Sequence, residues 1–383
     1  MTDPFRSLDS GLIVFKIGSS LLIDAESGTL RRDWLDRLCG DIATFGHEGH
    51  SMIVVSSGAI ALGRWALKLK PGPLRLEESQ AAAAVGQVRL AQAYAEGFAA
   101  QNIVAAQILL TLDDTEERRR YLNARATLAT LLELKAVPVI NENDTVATAE
   151  IRYGDNDRLA ARVASMMGAN ALVLLSDVDG LYTTDPGRDR HAKHVAEVRA
   201  ITPQVEAMAA GPVSGLGRGG MVSKIAAAKI ATQAGCDVFI AKGGTDAIHA
   251  MRHGAPYTRF VASTTPAAAR KRWIAGGLKV EGALIVDGGA ARALADGKSL
   301  LPAGVKSIEG RFERGDAVKV CGADGREIAR GLAAYSADDA RAIAGRRSAE
   351  IETILGYRGR DAMIHRDDLA FTGTAHEAEE PQP

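Results

Sequence analysis

Residues 215–224 read GLGRGGMVSK, a glycine-rich loop that runs into an alanine-rich helix predicted over 221–234. Four of the first six residues are glycine, and such a cluster loses much conformational entropy on folding. A loop of this kind at a helix N-terminus brings backbone N–H groups close to an anion, typically a phosphate. Lys224 stands in the first turn, where a cation opposes the helix dipole. A bound anion therefore explains this lysine better than helix stability does.

The loop matches two known phosphate-binding motifs only in part. It is not a P-loop, because no glycine precedes Lys224 at the spacing which that motif requires. Gly215, Gly217 and Gly220 match G-x-G-x-x-G, but the preceding segment 202–210 reads as a helix, whereas the dinucleotide motif follows a strand. A surface loop without a ligand is the alternative, and the rest of the chain favours phosphate.

The same order of apolar run, small polar residues and helix start recurs along the chain. Polar residues stand at the ends of five apolar runs: Lys16, Ser57, the cluster 141–145, Asp177 and Lys242. Strands that alternate with helices predict an α/β fold with a mostly parallel sheet sandwiched by helices. Ligands of such sheets bind beyond the carboxyl ends of the strands, so the five positions predict one active site.

Each of these positions also has a purely structural explanation. The ammonium of Lys16 could simply reach solvent at the end of a strand. Ser56 and Ser57 could cap the following helix, and the polar clusters 141–145 and 154–157 could form Asx-rich turns. The shared location favours a polar substrate pocket over these separate explanations.

The composition is that of a water-soluble globular protein of 383 residues, long enough for two domains. A net charge of −1 gives no general attraction to nucleic acid or an anionic membrane. We expect neither a signal peptide nor a membrane span. Three widely spaced cysteines, Cys39, Cys236 and Cys321, fit reduced thiols, so we expect a cytoplasmic protein.

The pattern of apolar residues in the sequence changes after the central helices. We predict a catalytic domain over 1–263, a linker over 264–278, a small β-rich domain over 279–370 and a disordered tail over 371–383. Residues 279–360 contain 14 basic and 12 acidic residues, a net charge of +2. This weak charge and the scarcity of aromatic residues argue against RNA binding by the C-terminal domain.

Taken together, these stretches resemble the glutamate 5-kinases of the amino acid kinase family. The resemblance covers nearly the whole chain, and within the family the pair NEND and GDND is specific to this kinase. The motifs that carry it are FKIGSS at 15–20, SSGAI at 56–60, VINEND at 139–144, GDND at 154–157 and the stretch from Ser214 to Lys224. The C-terminal part resembles the PUA domain that accompanies many of these enzymes.

The resemblance implies roles for individual residues. Lys16 contacts the nucleotide phosphates. Catalysis we assign, from the charge that the implied reaction needs, to Lys16 and Lys224, with Asp157 orienting the two lysines. The substrate is held by Ser57, Asp144 and Asn156. The nucleotide lies near Ser176 and Asp177 and on a phosphate loop made of Arg218, Gly219, Gly220, Met221, Val222, Ser223 and Lys224. Ser176 and Arg218 both stand where threonine is usual; the serine keeps the hydroxyl, whereas the arginine adds charge and bulk.

The implied reaction is transfer of the γ-phosphoryl group of ATP to the γ-carboxylate of L-glutamate with Mg²⁺, the first step of proline synthesis. The acceptor carboxylate is ionised at pH 7, so no general base is needed. The obstacle is the mutual repulsion of two anions, which lysines, Mg²⁺ and helix N-termini oppose. Asp144 suits the substrate ammonium, and Asp155 could orient the lysines or help to hold Mg²⁺.

The resemblance also implies inhibition by proline, a homo-oligomer (dimer or tetramer) and a possible association with glutamyl phosphate reductase. The nearest alternative is another amino acid kinase, acting on acetylglutamate, carbamate or aspartate. An RNA-binding or RNA-modifying protein is the alternative from another class, because PUA domains recur there.

Overall fold

The computed structural model describes residues 3–6, 8, 11–146, 155–209 and 220–372, with only the backbone at position 155. The chain forms two compact units, Met1–Pro266 and Ala267–Pro383. The predicted linker 264–278 contains a helix, Pro266–Gly276, and the tail from 373 onward lies outside the described residues.

The first unit contains an eight-stranded sheet in the order β3-β4-β2-β1-β5-β9-β10-β8. All its neighbouring strands are parallel except β9 and β10, which are antiparallel. The predicted mostly parallel sheet is therefore confirmed. The strands are β1 Leu12–Ile17, β2 Ser51–Ser56, β3 Ala105–Leu110, β4 Val137–Glu142, β5 Ala171–Ser176, β8 Glu197–Val198, β9 Asp237–Lys242 and β10 Tyr257–Phe260. A two-stranded ribbon pairs β6 Leu181–Tyr182 with β7 His194–Val195.

Helices cover both faces of this sheet. One face packs on α1 Ser19–Leu22, α2 Arg32–His47, α3 Ala59–Ala66, α4 Leu76–Ala99 and α9 Ala247–Arg252. The opposite face packs on α5 Arg118–Glu133, α6 Asp155–Met167, α7 Pro203–Ala209 and α8 Gly220–Gln233. A 3₁₀ turn, Asp113–Thr115, precedes α5.

Side chains alternate between the two faces along each strand, and this alternation divides the core. In β1, Phe15 and Ile17 belong to the cluster on the α2 and α4 side, whereas Val14 belongs to the cluster on the α6 and α8 side. Lys16 has the same parity as Val14. The period of two therefore directs this lysine toward α6 and α8.

The second unit is built on a five-stranded sheet in the order β12-β11-β13-β14-β15. Its strands are β11 Val280–Val286, β12 Val305–Gly310, β13 Ala317–Cys321, β14 Glu327–Leu332 and β15 Leu369–Phe371. Its helices are α10 Pro266–Gly276, α11 Gly288–Ala295, α12 Ala337–Ile343 and α13 Ile351–Leu355, with 3₁₀ turns at Pro302–Gly304, Ser348–Glu350 and Arg366–Asp368. A separate apolar cluster fills this unit.

The described helices offer no membrane span, since none combines the length and the apolarity that a bilayer crossing needs.

Candidate active site

Polar residues gather at the carboxyl edge of the central sheet because parallel strands end there together. Ile17 of β1 pairs with Ser56 of β2 on one side and with Leu175 of β5 on the other. Ser176 of β5 pairs with Lys242 of β9. The ends of β1, β2, β5 and β9 therefore lie along one edge, as the sequence predicts.

The side chain of Lys16 extends from this edge of the sheet toward helices α6 and α8. Its side chain is buried, and its Nζ lies 2.6 Å from Oδ1 of Asp157, in the first turn of α6. An ion pair with this little access to water needs further polar contacts to offset the loss of hydration.

Asp157 receives those contacts from the start of α8. Nζ of Lys224 lies 3.2 Å from Asp157 Oδ2, and Oγ of Ser223 donates a 2.8 Å hydrogen bond to the same oxygen. Lys224 also donates to the carbonyl oxygen of Gly220 at 3.3 Å. Two lysines far apart in the sequence thus share one carboxylate that is only 1% exposed.

The electrostatics of this cluster favour an ionised carboxylate. Burial alone would raise the pKa of Asp157, but the charges of Lys16 and Lys224 and the hydrogen bonds from Lys16 and Ser223 outweigh it and hold the pKa below 3.8. Burial lowers the pKa of Lys16 below 10.5; the charge of Lys224 adds to this effect and Asp157 partly offsets it. With one carboxylate and two lysines, the cluster has a formal excess of positive charge.

The N-terminus of α8 points backbone donors at the same region. The helix begins at Gly220, so its first four N–H groups have no partner within the helix. Met221 is half-buried and Val222 is exposed. Arg218 and Gly219 lie outside the described residues.

The turn after β2 has a left-handed glycine directly before a helix. Gly58 adopts φ 108°, in the left-handed region, and directly precedes the eight-residue helix α3. Ser57 is half-buried, and its N–H donates to the carbonyl of Ile17 at 3.2 Å. The serine is thus held against the end of β1.

The polar cluster after β4 lies beside this turn in the sheet, since β4 pairs with β2. Asp144 is buried at 7% exposure. Asn156 lies in the first turn of α6 beside Asp157, and its Oδ1 is buried without a hydrogen-bond partner among the described residues. A buried acceptor of this kind is suited to a ligand donor.

Ser176 ends β5 on the other side of β1, and Asp177 follows it. Ser176 is buried, and its hydroxyl donates to Asp177 Oδ1 at 2.8 Å, whereas Asp177 is exposed. A cavity of about 190 Å³ lies nearby, and its lining includes Asp179, Lys242 and Thr245. The two predicted groups of site residues therefore flank Lys16.

The described side chains contain no group of three or more His, Cys, Asp or Glu residues that could hold a metal ion. Asp157 is engaged by Lys16, Lys224 and Ser223 and does not supply a free ligand.

Two residues of α4 near the site were not predicted from the sequence. Tyr94 contacts Ser56, and Gln87 contacts Asn141, each through a side-chain hydrogen bond. Their spacing of seven places them on one helix face, which was the available signal.

Comparison with known proteins gives consistent results. The amino acid kinase family model matches residues 11–242, and the PUA domain model matches residues 282–355. Glutamate 5-kinase from Agrobacterium fabrum is 61% identical over 364 residues, which covers 95% of this chain and 93% of that protein. Glutamate 5-kinase from Rhizobium etli is 60% identical over 371 residues, covering 97% and 95%. A solved carbamate kinase from Giardia lamblia has a TM-score of 0.48 at 16% identity, covering 66% of this chain and 99% of that one.

Proposed function

Since this chain belongs to the amino acid kinase family, and within it to the glutamate 5-kinases, we propose that it transfers the γ-phosphoryl group of ATP to the γ-carboxylate of L-glutamate. An oxygen of the carboxylate bonds to the γ-phosphorus, and the bond from that phosphorus to the β–γ bridging oxygen breaks. The products are γ-glutamyl phosphate and ADP. The observation that carries this proposal is the buried cluster of Lys16, Asp157 and Lys224.

The two lysines supply the positive charge that the reaction needs. Negative charge on the transferring phosphoryl group and on the leaving ADP is neutralised by Lys16 and Lys224. Asp157 holds both ammonium groups in place without touching the reacting atoms. The N–H groups at the start of α8, with the loop residues Arg218 and Gly219 before them, bind the phosphates.

The two reactants bind on opposite sides of Lys16. Ser57, Asp144 and Asn156 hold L-glutamate, with Asp144 facing the substrate ammonium. Ser176 and Asp177, with residues 218–224, hold the nucleotide. This division follows the sheet order, in which β4 and β2 lie on one side of β1 and β5 and β9 on the other.

Mg²⁺ bound together with ATP would supply further positive charge against the phosphates. Asp155 could help to hold this ion or could orient the two lysines; its side chain lies outside the described residues.

A single assay tests the proposal. The protein is incubated with ATP, Mg²⁺ and L-glutamate, ADP is measured through a coupled enzyme, and hydroxylamine traps the acyl phosphate as a hydroxamate. Acetylglutamate, carbamate and aspartate replace glutamate in parallel. ADP formation that is equal with all four acceptors, or absent with glutamate, would contradict the assignment.

The wider biology is part of the same proposal. We place the reaction at the first step of proline synthesis in the cytoplasm, with proline as an inhibitor, a homo-oligomeric enzyme and glutamyl phosphate reductase as a possible partner. Adding proline to the assay tests the inhibition. The cytoplasmic location is supported by three buried cysteines without disulfides, Cys39, Cys236 and Cys321.

RNA binding is a second candidate function because the PUA model matches residues 282–355. It would show as a salt-dependent mobility shift of labelled RNA by the full-length protein. No shift at low salt would exclude this second function.

A further inference from the structure

Helix α4 packs directly against the start of α3. A Cβ added at Gly86 would lie 1.8 Å from the carbonyl oxygen of Ala59, and one at Gly63 would lie 1.7 Å from that of Ala82. These distances mean that the two helix backbones touch without side chains between them. The first turn of α3 is therefore fixed by α4.

Tyr94 extends this contact to the end of β2. Its hydroxyl lies 3.0 Å from the hydroxyl of Ser56, and both side chains are fully buried. Ser56 faces α4 because it has the same parity as Val54, which lies in the cluster on that side. The pair anchors the residue immediately before Ser57 and Gly58.

Gln87 makes the corresponding contact at the end of β4. Its Oε1 accepts a 2.7 Å hydrogen bond from Nδ2 of Asn141, whose own Oδ1 accepts one from the N–H of Glu142 at 2.9 Å. Asn141 is buried and faces α4 because it shares the parity of Val139. The amide of Gln87 thus sets the orientation of the Asn141 side chain, three residues before Asp144.

We propose that Gln87 and Tyr94 are positioning residues for the acceptor substrate, which they serve by fixing the turns at 56–58 and 141–144 through Ser56 and Asn141. Both contacts lie on the β2 and β4 side of β1, away from the ends of β5 and β9 that take the nucleotide. The inference rests on the proposed function. It predicts that these contacts of α4 affect the binding of the acceptor and not that of the nucleotide.

The test compares Gln87→Met with Gln92→Met. Methionine keeps the length of glutamine but cannot accept the hydrogen bond from Asn141. We expect Gln87→Met to raise KM for L-glutamate about five- to tenfold, on the scale of one buried hydrogen bond, while KM for ATP stays within about twofold of wild type. Gln92 lies on the exposed face of the same helix, where its side chain bonds to Glu96, and its variant should match wild type.

Tyr94→Phe and Ser56→Ala complete the experiment as a double-mutant cycle. If the hydroxyl pair positions the turn, each single variant raises KM for glutamate. The double variant then has a KM no higher than that of the more affected single variant. Thermal melting of every variant separates unfolding from mispositioning. If Tyr94→Phe does not fold, the half-buried Gln87 still supplies the test.

The outcomes are distinguishable. An unchanged KM for glutamate in Gln87→Met, an equal rise in both KM values, or a fall in melting temperature alone would overturn the positioning role. Wild-type protein that forms no ADP with glutamate would overturn the proposed function, and this inference with it.

Discussion

Asp157 is the residue on which the charge balance of the site depends. It is buried, it is bound by Lys16, Lys224 and Ser223, and its pKa is lowered against the effect of its own burial. Removing such a carboxylate would leave two buried cations without their partner. A buried ion pair of this kind is better understood as a positioning device than as a source of stability.

Lys224→Ala tests the charge that acts on the transferring group. We expect kcat to fall at least a hundredfold, or about 2.7 kcal/mol, with KM for glutamate within about threefold of wild type. Steady-state kinetics measure both. Lys229→Ala, five residues further along α8 and paired with Glu206 at the surface, is the matched control. Unchanged turnover in Lys224→Ala would remove this residue from the mechanism.

Asp144→Asn tests the ammonium site. The substitution keeps the shape and removes the charge, so KM for glutamate should rise about tenfold or more while kcat changes little. The exposed turn residue Asp185, substituted in the same way, serves as control. A normal KM for glutamate would place the ammonium elsewhere.

The lowered pKa of Lys16 predicts an alkaline loss of activity. Its ammonium is needed in the charged form, so kcat/KM for ATP should fall as pH rises through the folded pKa, with a midpoint below 10.5. Between the folded and unfolded pKa values the unfolded chain binds more protons, so the contribution of Lys16 to the free energy of unfolding increases with pH there. Titration of Lys16 therefore does not destabilise the fold in this pH window, so it does not explain a loss of activity there through unfolding. A midpoint at or above 10.5 would contradict the prediction.

At the scale of elements, the contact between α3 and α4 depends on glycine. Substituting alanine for glycine inside a helix gains up to about 1 kcal/mol from helix propensity. At Gly86 the added methyl group would overlap the carbonyl oxygen of Ala59, and overpacking of this kind costs about 1–3 kcal/mol or more. The clash therefore exceeds the gain.

Gly86→Ala should accordingly lower the melting temperature by several degrees and raise KM for glutamate. Gly40→Ala in α2 is the matched control, because the nearest atom to its added Cβ is 3.8 Å away. Calorimetry and kinetics on the two variants give the comparison. Equal melting temperatures of the two variants would show that α3 and α4 can move apart without loss of stability.

At the scale of the whole molecule, the two units have separate apolar cores, and every site residue that the structure describes lies in the first. A fragment of residues 1–266 should therefore fold cooperatively and keep glutamate-dependent ADP formation, with kcat within about tenfold of the full chain. Circular dichroism and the coupled assay check this. A folded but inactive fragment would assign part of catalysis to the second unit.

Much of this organisation was predictable from the sequence because it depends on local patterns. The mostly parallel α/β sheet, the kinase family and the C-terminal PUA domain were predicted and are confirmed. A linker was predicted over 264–278, and the structure places the helix Pro266–Gly276 within that segment. The predictions for Gly154, for residues 214–219 and for the tail from 373 onward concern positions outside those that the structure describes.

The sequence by itself determined which residues carry charge and at which ends of strands they stand, because side-chain period and turn chemistry are local properties. Only the tertiary structure decided that Lys16 and Lys224, 208 positions apart, meet on one carboxylate. It also decided that Gln87 and Tyr94 support the turns after β4 and β2. The reason is physical: a shared buried partner is set by how helices pack on the two faces of the sheet, and no local pattern encodes that packing.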